Sequence, residues 1–489
     1  MRRNMDRFGL ALGALALSSC ASLYKVPPSE MVQPEAAVPT PPDFAAFAPD
    51  ALPRTDWVES FGDPRLNALV AQAVERNTTV RAALFAVDAA LAGVDIAEAD
   101  RVPGVSASAG LSRRQRFENG TFLVNGVPVS SGQPLGQTSF SFGLSSSWEP
   151  DFWGRISDRI DSAELDVAGT EADLAAARLS VAGQVALGYF DLIEAQQLVE
   201  LSVRDVETQQ RSLRLTERRF ESGLSGASDV RLARSTVAQS EALQASRLQQ
   251  LGNIRRRLEV LLRDYPADTL DVPVSLPRLP ALSGAGMPGG VLARRPDLIA
   301  QEARLYAQGV QVDLARKALL PSLSLTGSFT DNSTDFVDLF DIESLVANLA
   351  SNLTAPISQG GRLEANVDRQ RAVLFQLVER YAGTALQAFN EVEDALAAES
   401  RLAEREAALE RALFESRRAE ERLELRYTEG LASILQLLDA QSRRISSEGQ
   451  LITARAERLA NRVRLHVALG GGGGPAEFIN AGNTESVAP

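Results

Sequence analysis

The 489-residue chain has a formal net charge of -13 and a pI near 4.9, a balance that offers no basic patch to a phosphate backbone and argues against nucleic acid as a partner. It holds one cysteine and one histidine, too few thiols and imidazoles for a metal cluster or a nucleophile and base pair, so no catalytic residue, metal site or cofactor is expected. Aromatic residues make up only 6% and alanine is abundant, which suits long, closely packed helices better than a thick globular core.

Met1 to Cys20 opens with Arg2, Arg3 and Arg7 and continues into an apolar run from Phe8 to Leu17. That run is about ten residues, too short to span a bilayer, and reads as an export signal over residues 1–19. Its ending, Leu17-Ser18-Ser19-Cys20, resembles a bacterial lipobox, which implies cleavage before Cys20 and acylation of its thiol and amine. An ordinary signal with a chance cysteine is the alternative. Ala21 after the cysteine implies sorting to the outer membrane, where two or three acyl chains anchor stably. Residues 20–56 hold Pro27-Pro28, Pro39, Pro41-Pro42, Pro49 and Pro53 without periodicity, an extended tether.

Pro64 starts a helical pattern through Leu66, Leu69, Val70, Ala73 and Val74 that is expected to run to about Arg101. After Pro103 the period drops to two. Val105, Ala107, Ala109 and Leu111 alternate with serines and glycine, then Phe140, Phe142, Leu144 and Trp148 alternate with small polar residues. The tail of the first helix recurs before Pro321, and Leu323, Leu325 and Phe329, then Leu345, Leu349 and Leu353, repeat the alternation. Each segment has the length of a tilted membrane strand with one apolar and one polar face, though a soluble two-sheet sandwich would alternate in the same way. Trp148 and Trp153 at the strand ends suit an interfacial aromatic girdle. The connections Glu118 to Gln137 and Asp331 to Glu343 are rich in Gly, Asn, Ser and Asp and are read as outward loops.

Four strands cannot close a barrel, and open edges are not tolerated in lipid. Several chains must then share one barrel, and three chains, with twelve strands, are the smallest set that leaves an open lumen.

No proline occurs between Pro150 and Pro266 or between Pro356 and Pro475. An unbroken helix from Gly154 to a turn at Gly223 would run roughly 100 Å, and Gly430 marks a matching turn in the second half. Laid Gly223 on Gly430, the halves keep register, with Gly154-Arg155 on Gly361-Arg362 and Leu262 on Leu469. Seven-residue rows, Leu438, Ile445, Ile452 and Leu459 in one return helix and Val230, Val237, Leu251 and Leu258 in the other, with Gln244 interrupting, are coiled-coil seams. The expected organisation is a first repeat at 57–270 (helix, two strands, long helix, return helix), an equatorial linker at 271–290, a second repeat at 291–470 and a flexible glycine-led tail at 471–489. His466 falls in an apolar row and is read as a packed helix residue.

Trp57, Phe61, Asp63, Leu66 and Asn77, then Arg294-Arg295-Pro296-Asp297 with Pro321, then Tyr427, Gly430 and Leu438-Asp439-Ala440-Gln441 resemble the outer membrane efflux protein family of TolC type. With the lipobox, the resemblance extends to its lipoprotein branch of OprM and NodT type. It implies a mainly α-helical fold with membrane β-structure: a homotrimer whose four strands per chain form a twelve-stranded barrel continued by a long α-helical barrel. The implied function is an outer-membrane efflux duct for small toxic molecules. The implied partners are outer-membrane lipid, a periplasmic adaptor (membrane fusion) protein and an inner-membrane pump, with the lipobox leaning toward the resistance-nodulation-division type. A protein-secretion duct and a lipid-anchored structural coiled coil are the other readings.

By the same resemblance the periplasmic tip closes at Leu435 and Asp439, three copies of Asp439 forming an anionic ring in a narrow neck. A tip lock is implied to join Ser228, Asp229 and Tyr427 to an arginine. Ala432 stands where that arginine is expected, so the lock is read as incomplete, and Gln436 stands where a second acidic ring is expected.

Overall fold

In the computed structural model the described residues are 34–46, 55–115, 121–130, 136–282, 284–338 and 345–471. The expected export signal, the lipidation residue Cys20, and the tail beyond Gly471 lie outside them. The chain divides into two compact units: one of Met1–Val32, Ala89–Val167 and Arg304–Leu377, the other of Gln33–Asp88, Ala168–Ala303 and Val378–Pro489.

The first unit holds a four-stranded antiparallel sheet of β1 (Gly104–Gln115), β4 (Gly136–Trp148), β5 (Ser322–Ser333) and β6 (Val346–Thr354), in the order β1-β4-β5-β6. Its register sets Ala107 opposite Leu144, Leu111 opposite Phe140, Leu144 opposite Phe329, Gly327 opposite Leu349 and Leu323 opposite Leu353. Because the strand period is two, these pairs gather the large apolar residues of all four strands on one face, apart from Val346 at the end of β6. The other face is polar, with hydroxyl pairs Ser106–Ser145 and Ser112–Ser139 at 2.8 Å. Strands β1 and β6 are the edges of this sheet.

One connection differs from expectation. The segment read as an outward loop holds a hairpin of β2 (Thr121–Val124) and β3 (Val127–Ser130). Asn125 (φ 55°) and Gly126 (φ 80°) make the two-residue turn, the left-handed pair that matches the twist of short antiparallel strands.

At the helix end of β4, the Trp148 indole donates to the Arg101 carbonyl (3.0 Å) and the Trp153 indole to that of Pro321 (2.6 Å). Gly154, at φ 70°, turns the chain into the long helix α3 (Arg155–Glu221). Asp151 caps that helix by accepting from the backbone N–H groups of Ile156 and Ser157, both at 2.9 Å. Burial raises its carboxyl pKa, but the Ser157 hydroxyl and these N–H groups prevail and hold it below the usual value. Lys317 pairs with Asp158 at 2.6 Å and also donates to the Gly154 carbonyl.

The duplication is visible in element lengths. Helices α3 and α7 (Arg362–Thr428) both have 67 residues, and the return helices α4 (Ala227–Leu261) and α8 (Ile434–Ala468) both have 35. Helices α2 (Thr78–Ala99) and α6 (Pro296–Lys317) both have 22, and β1 and β5 both have 12.

The helix expected from Pro64 to Arg101 is two helices, α1 (Pro64–Arg76) and α2. Asn77 separates them. Its extended ψ of 138° breaks the ladder, its side-chain oxygen accepts from Thr79 N–H (2.8 Å), and its amide donates to the Leu261 carbonyl (2.8 Å). The counterpart before α6 is Arg295-Pro296, where the proline follows the short helix α5 (Pro288–Arg294) and holds Arg295 extended. Helix α5 thus begins inside the stretch read as linker.

The second unit's core joins α1, α3, α4 and α8 through Trp57, Phe61, Leu66, Leu69, Tyr189, Phe190, Leu192, Ile193, Leu258, Leu262 and Val463. Asp63 caps α1 and receives the Tyr189 hydroxyl at 2.5 Å. Burial first, and that carboxylate second, drive the phenol pKa far upward. His466 is 1% exposed and stacks on Trp57 with ring centres 5.7 Å apart.

Among the described residues, the crossing after Leu262 has no helix until Pro288, yet it is pinned. Glu259, 3% exposed, accepts from the backbone N–H groups of Asp268, Thr269 and Leu270 at 2.9, 2.7 and 2.9 Å. Arg295 does similar work ahead of α6, pairing with Asp297 (2.8 Å) and Glu391 (2.6 Å).

The coiled-coil rows hold unevenly. Val230, Val237, Leu258 and Leu459 are buried, whereas Leu438, Ile445 and Ile452 are only half-buried; the buried face of α8 runs instead through Ile434, Leu437, Gln441, Leu451 and Ala454. A period read from sequence finds the stripe but not which flank of it one chain covers.

Candidate functional site

The two helical hairpins turn at Gly223 (φ 72°) and Gly430 (φ 78°). In the first, Leu224 N–H bonds the Arg219 carbonyl (2.8 Å) and Gly223 N–H that of Phe220 (2.9 Å); in the second, Leu431 bonds Arg426 (2.7 Å) and Gly430 bonds Tyr427 (3.1 Å). This is the Schellman pattern, which needs a left-handed residue and satisfies carbonyls that a helix end leaves open.

Each return helix starts on a cap closed by its third residue, two-way in α8 and one-way in α4, where Gly226 has no side chain to reciprocate. In α8 the Ser433 hydroxyl accepts from Gln436 N–H (3.3 Å) while the Gln436 side chain accepts from Ser433 N–H (3.0 Å). In α4 the Asp229 carboxylate accepts from Gly226 N–H at 3.2 Å. Asp229 and Gln436 are thus equivalent capping residues.

Around these turns Tyr427, Ile434 and Leu437 form a small buried cluster, with Leu215, Leu232, Ala432 and Leu438 against it. Ala432, read as a vacancy in the lock, is part of this packing. Tyr427 is 3% exposed and its hydroxyl meets the Thr216 hydroxyl at 3.0 Å. Arg219 lies over the Tyr427 ring, 4.9 Å from its centre, and donates to the carbonyls of Tyr427 (2.8 Å) and Thr428 (3.3 Å). Among the described residues no hydrogen bond joins Ser228 or Asp229 to Tyr427; Ser228 is exposed.

Leu435 is 63% exposed. Asp439 is also exposed and pairs with Arg443 one turn on, at 2.8 Å, a contact that holds the Arg443 pKa above its usual value. Asp439 therefore stands beside a cation that offsets its charge locally. The period places Arg443 on the same helix face as Asp439, so this pairing was readable from spacing.

Deeper along α3 runs a buried polar seam: Asp205 accepts from Gln209 (3.1 Å) and Ser212 accepts from Gln441 (3.0 Å). Asp205 borders a cavity of about 520 Å³ between α3, α4 and α8 that Ser202, Ser240 and Ser442 also line. Burial pushes its carboxyl pKa up, opposed by the Gln209 amide and the Arg444 charge. A carboxyl raised on folding weakens the fold while it is ionised and ceases to do so as pH falls through the raised value. Asp205→Asn is therefore expected to increase heat resistance by roughly 1 kcal/mol at neutral pH. The gain should shrink toward pH 3.8, which heating curves at two pH values would check.

The profile of the outer membrane efflux proteins matches residues 69–262 and 287–471. Over 477 residues the chain is 32% identical to outer membrane protein OprJ of Pseudomonas aeruginosa, covering 96% of this chain and 97% of that one. Over 472 residues it is 30% identical to the pyoverdine export outer membrane protein OpmQ of the same species, covering 96% and 97%. The crystal structure of the CmeC outer membrane channel of Campylobacter jejuni superposes with a TM-score of 0.80 at 24% identity, covering 88% of this chain and 92% of that one, a likeness of fold.

Proposed function

The chain belongs to the outer membrane efflux protein family, and from that premise we propose that it is a lipid-anchored duct for small molecules, closed at the ends of its helical hairpins. It is the outer-membrane channel component of a bacterial tripartite efflux system, and not an enzyme. It acts as a trimer with a periplasmic adaptor and an inner-membrane pump.

The observation that carries the reading is the sheet. Its apolar residues share one face, and β1 and β6 are both unpaired edges, so one chain in lipid leaves two rows of backbone donors and acceptors unmet. Neighbouring copies supply the missing pairing. Passage then needs no chemistry from the chain, and the driving energy comes from the pump.

Small solutes are favoured as cargo over secreted proteins because a relative over nearly the whole chain is described as exporting pyoverdine. The lipobox ending at Cys20 supports acylation and a pump of the resistance-nodulation-division type. Leu435 and Asp439 are the proposed constriction: both are exposed at the first turns of α8, where they are free to face a lumen. Ser228, Asp229 and Tyr427 remain the lock positions that the family resemblance assigns. In this chain Asp229 serves the cap of α4, and Tyr427 is engaged by Thr216 and Arg219.

The test is conductance of the purified protein in planar bilayers, with uptake of a large antibiotic in cells. Leu435→Ala and Asp439→Ala are each expected to raise both by about tenfold, as a shift of about 1.4 kcal/mol in the opening equilibrium would. Unchanged values in both would take these residues out of the constriction.

A further inference from the structure

The internal repeat sets up an asymmetry at the hairpin turns that its own symmetry does not explain. Arg219-Phe220 and Arg426-Tyr427 occupy equivalent places, each arginine accepting the Schellman bond of its own turn through its carbonyl. The side chains diverge. Arg426 donates to the Leu431 carbonyl of its own turn, at 3.2 Å. Arg219 leaves its hairpin and engages the other one, capping the Tyr427 and Thr428 carbonyls and stacking on the Tyr427 ring.

Those carbonyls belong to the last turn of α7, where the helix dipole places partial negative charge; the Tyr427 carbonyl already takes the Gly430 N–H and accepts Arg219 on its second lone pair. A guanidinium suits that end in two ways: it carries charge, with one terminal nitrogen donating to both carbonyls, and it is flat enough to lie on an aromatic face. Thr216, one turn earlier on α3 and fully buried, adds the hydroxyl contact to Tyr427. Phe220, in the place equivalent to Tyr427, is about half exposed and has no such role.

We propose that Arg219 is a positioning residue that latches the end of α3 to the end of α7, tying the two hairpins of one chain together at the mouth. It supplies the cation that Ala432 does not, from a different helix. The latch rests on the reading above that the hairpin ends close the channel. Separation of the hairpins then costs the cap, the ring contact and the Thr216 bond together, and the closed state is favoured while they hold.

The experiment compares Arg219→Ala, Arg219→Lys and Arg426→Ala in planar bilayers, with detergent-resistant trimer on gels as the assembly control. Arg219→Ala is expected to raise open probability by about tenfold. Arg219→Lys, which keeps a charged donor but loses the flat face on the Tyr427 ring, should give a smaller increase, and Arg426→Ala less than Arg219→Ala. Should Arg219→Ala fail to assemble, Arg219→Lys is read in its place. Parental conductance in the assembled Arg219 variants, with Leu435→Ala opening the channel, overturns the latch and spares the constriction. Equal opening by Arg219→Ala and Arg426→Ala overturns it as well, since loss of positive charge at the tip would then suffice. Parental conductance in the Leu435 and Asp439 variants, with Arg219→Ala opening the channel, instead overturns the constriction and spares the latch.

Discussion

Leu349→Arg is expected to abolish assembly into the outer membrane, while Asn348→Arg, one residue away on the same strand, leaves assembly intact. Leu349 is 85% exposed near the middle of β6, on the face shared with Leu353, Leu323 and Phe329. An arginine on a barrel's lipid face near the midplane costs about 2–4 kcal/mol, and three chains place three such charges in one barrel, roughly 6–12 kcal/mol in all. Asn348 lies on the opposite, polar face, opposite Ser328, where the same charge meets water. It should alter ion selectivity and little else. The check is heat-modifiable trimer in outer-membrane fractions; equal yields for the two variants would mean that the apolar row does not face lipid.

Glu259→Ala is expected to cost on the order of 4 kcal/mol, because three backbone N–H groups lose a buried carboxylate acceptor at once. The loss should localise: the crossing from Arg263 to Met287 should become a site of proteolysis while α3 and α7 stay protected. Glu259→Gln keeps an acceptor oxygen and should lose less. Burial by itself would raise the Glu259 pKa, but the N–H groups of Asp268, Thr269 and Leu270 outweigh it and hold the pKa below 4.5. A carboxylate depressed on folding contributes its full stabilisation above the unfolded value, here about pH 4.5, and loses it only as pH falls through the lower folded value. The crossing should therefore resist moderate acidification, which limited proteolysis across pH 4 to 7 would show as a constant cleavage rate above about pH 4.5.

Much of the fold was legible because its signals are local. The proline-free spans gave α3 and α7, Gly223 and Gly430 marked turns that require positive φ, and the alternation from Val105 to Leu111 and from Leu323 to Phe329 marked strands with one apolar face. Two local signals were passed over. Asn125-Gly126 announces a tight hairpin within a polar connection, and Asn77, a residue that caps helices well, stands where the first helix divides.

At the candidate mouth, the family resemblance pointed to Asp439; its partner Arg443, four residues on along the same helix, was passed over although the spacing offers it. Composition and spacing did not reach Arg219, because its partner Tyr427 is 208 residues away and the equivalent arginine, Arg426, turns to its own loop. Nor did they find the Glu259 clamp, whose acceptors are backbone groups of a segment without periodicity.

The sequence by itself determined the duplication, the lengths of the long helices and the need for other chains to complete the sheet, since periodicity, turn chemistry and strand count depend on neighbours a few residues apart. Only the tertiary structure decided which arginine caps which helix end, which flank of the coiled-coil stripe one chain buries, and what holds the crossing down. Those outcomes depend on how helices distant in sequence are brought side by side, and a side chain's reach selects among the acceptors it then finds.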